Sequence, residues 1–200
     1  MEKRNETAGP SGEILRLFVA LLPTEPVRRE ISRLADGAEA VRWLPVEQYH
    51  LTLRFIGEVG AGLLPEMESA LERVRVKPFL LDVGGVGGFP PRGHPSILWA
   101  GLSRGHPLLH QLRQQVDDYL LATSVPFEIR SFVPHITIGR CRDAPPVQVA
   151  HWLKKHRAFV GPAWPVDAFH LMVSERSGGA LSYRSLRRFE LEPASGFGGG

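Results

Sequence analysis

The stretch 134-PHITIGR-140 reads as a β-strand, and it restates an earlier one, 49-YHLTLRFIG-57. Both carry the pattern histidine, apolar, threonine, apolar: His50-Leu51-Thr52-Leu53 and His135-Ile136-Thr137-Ile138. Successive strand side chains point to opposite faces, so residues i and i+2 share one. Histidine and threonine therefore point the same way in each stretch, while Leu51, Leu53, Ile136 and Ile138 point into the core. Gly57 is expected to end the first strand. One such stretch is a strand that happens to carry a histidine. Two of them at matching points of the chain bear on both the fold and the chemistry.

The elements around each histidine recur in the same order. Residues 14-ILRLFVALL-22 read as a buried strand broken by Pro23. Thr24 is a candidate N-cap for a helix near 25–38, with Val27, Ile31 and Leu34 at helical spacing. The segment 41-VRWLP-45 and the histidine strand at 50–56 follow, then helical spacing over 63–75. Strands at 79-FLLDVGGVGGF-89 and 96-SILWAGL-102 are joined by a loop, 90-PPRGHP-95. The strand 96–102 opens a second series: a helix at 107–122, then 127-FEIRSF-132 leading into the histidine strand at 135–141. A helix near 146–156 and strands near 166–174 and 181–191 complete it. Strands and helices do not alternate as in a doubly wound parallel sheet. Adjacent strand pairs argue for an α+β fold with antiparallel sheets. The expectation is a bilobal domain over 13–192: two pseudo-symmetric lobes, helices flanking the sheets, and His50 and His135 facing a shared cleft. Residues 1–12 read as a disordered polar lead and 193–200 as a flexible tail.

Of the 200 residues 43% are hydrophobic and 22% charged, the balance of a soluble globular protein. No apolar run approaches the roughly 18 residues of a membrane span, and the start lacks the apolar core of a secretory signal. Cys141 is the only cysteine, so an internal disulfide is excluded and a reducing cytoplasm is the expected compartment. A monomer is expected. The net charge is +3, and arginine far outnumbers lysine, which occurs only at Lys3, Lys77, Lys154 and Lys155. Arginine suits bidentate phosphate recognition, although a GC-rich genome accounts for the same bias.

Two imidazoles in one cleft suit acid–base chemistry, one removing a proton while the other donates one. Histidine's ordinary pKa near 6.5 lets it hold either state near neutrality. Threonine hydroxyls donate hydrogen bonds to phosphate oxygens. Arg54, two residues past Thr52, is expected on the same face as a further phosphate contact. Arg140 is expected to point away unless its strand bulges. Tyr183 and Phe132 read as core or rim residues, with stacking on a base as the alternative. His106 and His110 stand at i, i+4 but have no acidic or cysteine partner to complete a metal site. Cys141 reads as packing. Gly84, Gly85, Gly87 and Gly88 read as a bent or bulged strand, since no phosphate-loop signature surrounds them. The pair 187-RR-188 reads as a solvated face.

The ordered set 16-RLFVAL-21, 42-RW-43, 50-HLTLRFIGEV-59, 98-LWAGL-102, 134-PHITIGR-140 and a final strand pair with Gly179 and Tyr183 resembles the 2H phosphoesterases. Within them the chain is similar to the RNA 2′,3′-cyclic phosphodiesterases, LigT-like proteins once called 2′-5′ RNA ligases. The resemblance implies the bilobal α+β fold and hydrolysis of a terminal 2′,3′-cyclic phosphate to a 2′-phosphomonoester, with no metal and no cofactor. It implies His50 as proton donor, His135 as proton acceptor, Thr52 and Thr137 on the non-bridging oxygens, and Arg54 and Arg140 as further substrate contacts. The implied partners are RNA ends bearing the cyclic phosphate, tRNA fragments among them. Gly139 departs from the pattern, standing where alanine is usual. Other readings are the same chemistry on a small cyclic nucleotide or ADP-ribose cyclic phosphate, 2′-5′ ligation as a side activity, a non-catalytic RNA-end binder, and a metal-dependent hydrolase.

Overall fold

The computed structural model describes residues 12–91, 94–125, 131–141, 144–177 and 180–192. Its elements in chain order are β1 (Ile14–Leu21), α1 (Glu25–Ser32), β2 (Arg42–Trp43), β3 (Leu51–Gly60), α2 (Leu64–Leu71), β4 (Phe79–Phe89), β5 (Ile97–Leu102), α3 (Pro107–Leu121), β6 (Ile136–Arg140), α4 (Pro146–His156), β7 (Val160–Val166), β8 (Ala168–Ser177) and β9 (Ala180–Glu190). The strands lie in the order β7-β4-β5-β6-β3-β1-β8-β9, with β2 added on β6. Every described pairing is antiparallel. Among the described residues no helix is long and apolar enough to cross a membrane.

The two histidine strands sit side by side at the centre and meet through one ladder pair, Leu51 with Ile136. On one side follow β1, β8 and β9; on the other, β5, β4 and β7. The two series expected from the sequence are thus present, but each supplies strands to both halves. β4, which closes the first series, pairs with β5, and β8 of the second series pairs with β1. The helices also exchange sides. α1 packs on β7 and α4 on β4, while α3 packs on β3 and α2 on α3. This interleaving buries one continuous core under the whole sheet, from Leu17, Val19 and Leu21 to Trp152 and Trp164. The alternate residues of β1, Phe18 and Ala20, face the opposite side with Met172 and Tyr183.

Several boundaries differ from the sequence expectation. α1 stops at Ser32 rather than 38 because the next turns tighten, with Leu34 N–H on Ile31 O and Ala35 N–H on Ser32 O. α2 ends at Leu71 rather than 75 for the same reason, Val74 N–H bonding Leu71 O. β7 was not expected, and it carries Pro162 and Pro165, residues that disfavour a central strand. It lies at the sheet edge, where a residue without an N–H is tolerated, and it buries Trp164 and Val166. Gly57 does not end β3. Its φ of +97°, a value other residues rarely adopt, carries the strand through a bulge opposite Leu17 and Phe18 and on to Gly60. The glycine cluster of β4 is bulged as expected, with Gly85 at φ +71°. Residue 179 and the span 126–130 lie outside the described residues, as do the tail at 193–200 and all of the 1–12 lead but Gly12.

Gly139 has a packing reason. β2 pairs with β6 there, and a Cβ at 139 would lie 2.8 Å from Val41 Cγ1 and 2.9 Å from the Trp43 ring. Gly139→Ala is expected to destabilise the fold by about 1–3 kcal/mol, the usual range for overpacking. Chemical denaturation of the two proteins checks this, and unchanged stability would show that Trp43 yields freely.

Candidate active site

His50 and His135 each sit one residue ahead of a central strand, and the pair Leu51–Ile136 lies between them. Extending that antiparallel register by one residue sets His50 across from Thr137 and Thr52 across from His135. The four side chains occupy the corners of a small square, with the imidazoles on one diagonal. Leu51, Leu53, Ile136 and Ile138 are all buried on the other face, as the alternation predicts.

Both imidazoles are anchored in the same way. His50 Nδ1 lies 2.7 Å from Gln48 O, and His135 Nδ1 lies 2.6 Å from Val133 O. A carbonyl only accepts, so each Nδ1 carries the hydrogen and donates it. That leaves Nε2 of each ring to take or give a proton. Each ring is also held by aromatic neighbours. His50 lies 4.9 Å from Phe18 and 4.8 Å from Tyr183, and His135 lies 4.8 Å from Phe89 and 6.2 Å from Trp99. Trp99 lies against β4 because Gly87, its ladder partner, has no Cβ to collide with the indole. Burial lowers the His50 pKa to about 4 against the help of the Gln48 carbonyl, and a charged His135 lowers it further. Burial also lowers the pKa of His135, against the Val133 carbonyl.

A bulge follows each threonine. In β1–β3 the register steps from Ala20–Thr52 to Val19–Arg54, and in β5–β6 from Trp99–Thr137 to Leu98–Gly139. The skipped residues are Leu53 and Ile138, equivalent positions of the two strands. The bulge reverses the alternation beyond each threonine, which corrects the expectation for Arg54 and meets the condition set for Arg140. Arg54 aligns with the core residue Val19, is buried, and pairs with Asp117 of α3 at 3.4 Å. Phe55, aligned with Phe18, takes the place on the cleft face instead. In β6 the same step turns the exposed Arg140, aligned with Ile97, to the face that Thr137 occupies. Arg113 of α3 donates from Nε to the bulged Leu53 carbonyl at 3.3 Å and pairs with Asp117 at 3.3 Å. Burial raises the Asp117 pKa, and the two guanidiniums oppose the rise.

A cavity of about 340 Å³ opens beside one edge of the square. It is lined by Thr52 and His135, by Arg54, Phe55 and Arg113, and by Phe89, Phe132 and Val133. The remaining candidates lie elsewhere. His106 stacks on Phe79 and His110 meets the edge of Phe132, so their rings have different neighbours. Cys141 is buried and its thiol donates to Pro95 O at 2.9 Å. Arg187 pairs with Glu68 and Glu72, and Arg188 with Asp167 and Glu190. Sequence reasoning missed Phe18, Phe89, Trp99 and Arg113. For Trp99 a signal was present, an aromatic residue in a strand that faces a glycine-rich one.

A model of the 2′-5′ RNA ligase superfamily matches residues 23–178. The chain belongs to this superfamily. Among curated members, the RNA 2′,3′-cyclic phosphodiesterase of Archaeoglobus fulgidus is 30% identical over 179 residues, covering 88% of this chain and 100% of that protein. The one from Thermus thermophilus is 33% identical over 195 residues, covering 91% and 93%. Among solved structures of similar fold, Escherichia coli LigT complexed with 3′-AMP superposes with a TM-score of 0.74 at 25% identity, covering 90% of this chain and 99% of LigT. A protein of Thermus thermophilus gives 0.73 at 27% identity, covering 88% and 98%. The interleaved antiparallel sheet is therefore the fold this chain shares with those structures.

Proposed function

We propose that this protein hydrolyses the terminal 2′,3′-cyclic phosphate of RNA to a 2′-phosphomonoester. The observation that carries the reading is the pair of diagonal imidazoles, each with Nδ1–H tied to a backbone carbonyl and Nε2 left for proton transfer. Water attacks phosphorus in line with the 3′ oxygen. His135 Nε2 takes the water proton, the bond from phosphorus to the 3′ oxygen breaks, and His50 Nε2–H protonates that oxygen. The family resemblance supports this division of roles. Thr52 and Thr137 donate to the non-bridging oxygens, and Arg140, on the cleft face, adds charge. Arg54 acts through its ion pair with Asp117 at the wall of the cleft. The phosphodiester anion favours the charged imidazole, which offsets the burial that keeps His50 neutral in the free protein. The substrates are RNA ends, tRNA fragments among them, met in the cytoplasm by a monomeric enzyme that needs no metal.

The test is an oligoribonucleotide ending in a 2′,3′-cyclic phosphate, incubated with the protein in excess EDTA. A 2′-phosphate end is the expected product. A 3′-phosphate would reverse the leaving group. Loss of activity in EDTA would make the reaction metal-dependent. An inert oligonucleotide alongside hydrolysis of free cyclic nucleotides or ADP-ribose cyclic phosphate would move the substrate to small molecules.

A further inference from the structure

We propose that Gln48 is a positioning residue for the acid histidine: its side chain latches the β8–β9 hairpin over His50, and Tyr183 of that hairpin keeps water from the ring. The proposal rests on the phosphodiesterase reading above. Gln48 ends a single 3₁₀ turn, Val46–Gln48, between β2 and His50. Two groups of this one residue serve the histidine. Its backbone carbonyl accepts the hydrogen of His50 Nδ1 at 2.7 Å. Its side-chain Nε2 donates to Leu181 O at 2.7 Å, 133 residues further along the chain. Leu181 belongs to β9, which ends the strand order three places from β3. The hairpin must therefore curl across β1 to reach this turn, and its own ladder does not set how closely it approaches. The Gln48 amide does, by bonding to the open edge of β9. Tyr183 stands two residues on, on the same strand face as Leu181. Its ring lies T-shaped against His50 at 4.8 Å and against Phe18 at 5.3 Å. Phe18 is itself 4.9 Å from the imidazole.

The two halves of the site differ at this point. The repeat is symmetric at histidine and threonine, but two residues ahead of the histidines stand Gln48 and Val133. Val133 offers His135 the same backbone carbonyl and no side-chain amide. The rings beside His135, Phe89 and Trp99, come from β4 and β5, on the other side of β6. The latch thus singles out the imidazole that acts as acid. Loss of water lowers an imidazole's pKa because it disfavours the charged form. Burial is the first cause of the low value of His50, about 4, with the Gln48 carbonyl opposing it and a charged His135 adding to it. A dry imidazolium gives its proton to the departing 3′ oxygen more readily than a solvated one. The titratable or charged groups on this side of the cleft are His135, the Tyr183 phenol and Arg140 further along β6, while Glu47 of the turn is exposed. β1 brings Phe18, and β6 brings the Thr137 hydroxyl.

The experiment follows the eight histidines by NMR titration in wild type, Gln48→Met, Tyr183→Ala and Tyr183→Phe. Loss of a signal in His50→Gln assigns His50. Methionine keeps the length of glutamine without the amide donor. The His50 pKa is expected to rise by about one unit or more in Gln48→Met and Tyr183→Ala, a gain in proton affinity of roughly tenfold or greater. It is expected to stay near wild type in Tyr183→Phe, which retains the ring. His135 is expected to titrate as in wild type throughout. The alkaline limb of kcat/KM on the cyclic phosphate is expected to move to higher pH in the same two variants. An unmoved His50 in Gln48→Met would reduce the amide to hairpin packing. Equal shifts of both imidazoles would replace the latch with general loosening. Gln48 is half-buried at the end of a short turn, so Gln48→Met keeps the test open if Tyr183→Ala fails to fold. The titration needs no substrate. A wild type inert toward the cyclic phosphate, with the His50 shift intact, removes the phosphodiesterase reading and upholds the latch. An active wild type with no shift in Gln48→Met removes the latch alone.

Discussion

His50→Ala and His135→Ala are each expected to lower turnover of the cyclic phosphate by about 10²–10⁴-fold while the fold persists. Each imidazole moves a proton in a single displacement, so removing both is expected to cost little more than removing one. The fold persists because each histidine is only half-buried and the hydrogen bond that anchors it is a local one, to a carbonyl two residues away. Single-turnover hydrolysis and circular dichroism read the two effects separately. A second substrate assigns the roles. A phosphodiester with an aryl leaving group, such as 4-nitrophenolate, departs without a proton. On it the His50→Ala defect is expected to shrink and the His135→Ala defect to remain. The opposite pattern would exchange acid and base. Near wild-type rates in both variants would take the chemistry out of this cleft.

The repeated H-x-T-x pattern already held the centre of the fold. A histidine and a threonine on one face, with leucine or isoleucine on the other, placed the cleft and the core correctly because strand alternation is a local property. It failed one residue beyond each threonine. A bulge is set by how β1 and β5 lie against the histidine strands, and nothing within 50–56 or 135–141 records that. Arg54 was consequently assigned to the wrong face, Arg140 reaches the cleft face through the bulge named as its exception, and Phe55 was overlooked. The exchange of strands and helices between the halves was hidden for a similar reason. Periodicity identifies an element and its buried face but not the half of the sheet that it joins. β7 was passed over, and its two prolines are tolerated because the strand is at an edge. Gly139, a mere departure from the family pattern in the sequence, became intelligible once Trp43 was seen above it.

The pH profile of kcat/KM is expected to peak below the ordinary histidine value and to fall about tenfold per unit on the alkaline side, reaching roughly 100-fold two units above pH 6.5. Catalysis needs one imidazole charged and one neutral, and the profile cannot distinguish which is which. Burial holds His50 near 4 and His135 below its usual value, so the free protein loses its last catalytic proton before pH 6.5. Bound substrate changes this, because the phosphodiester anion stabilises an imidazolium. The alkaline limb of kcat is therefore expected at higher pH than that of kcat/KM. A kcat/KM optimum above pH 7, or coincident limbs, would show that burial does not govern these rings in the free protein. The same groups set the acid stability. A histidine with a lowered folded pKa contributes stability that is complete above the unfolded value near 6.5 and is lost as pH falls toward 4. His50 behaves so, and so does His170, which burial also holds at about 4 beside Arg188. Thermal melts are thus expected to weaken between pH 6.5 and 4. His50→Gln, which keeps a polar side chain without the titration, is expected to flatten part of that decline, and an unchanged slope would place the acid sensitivity elsewhere.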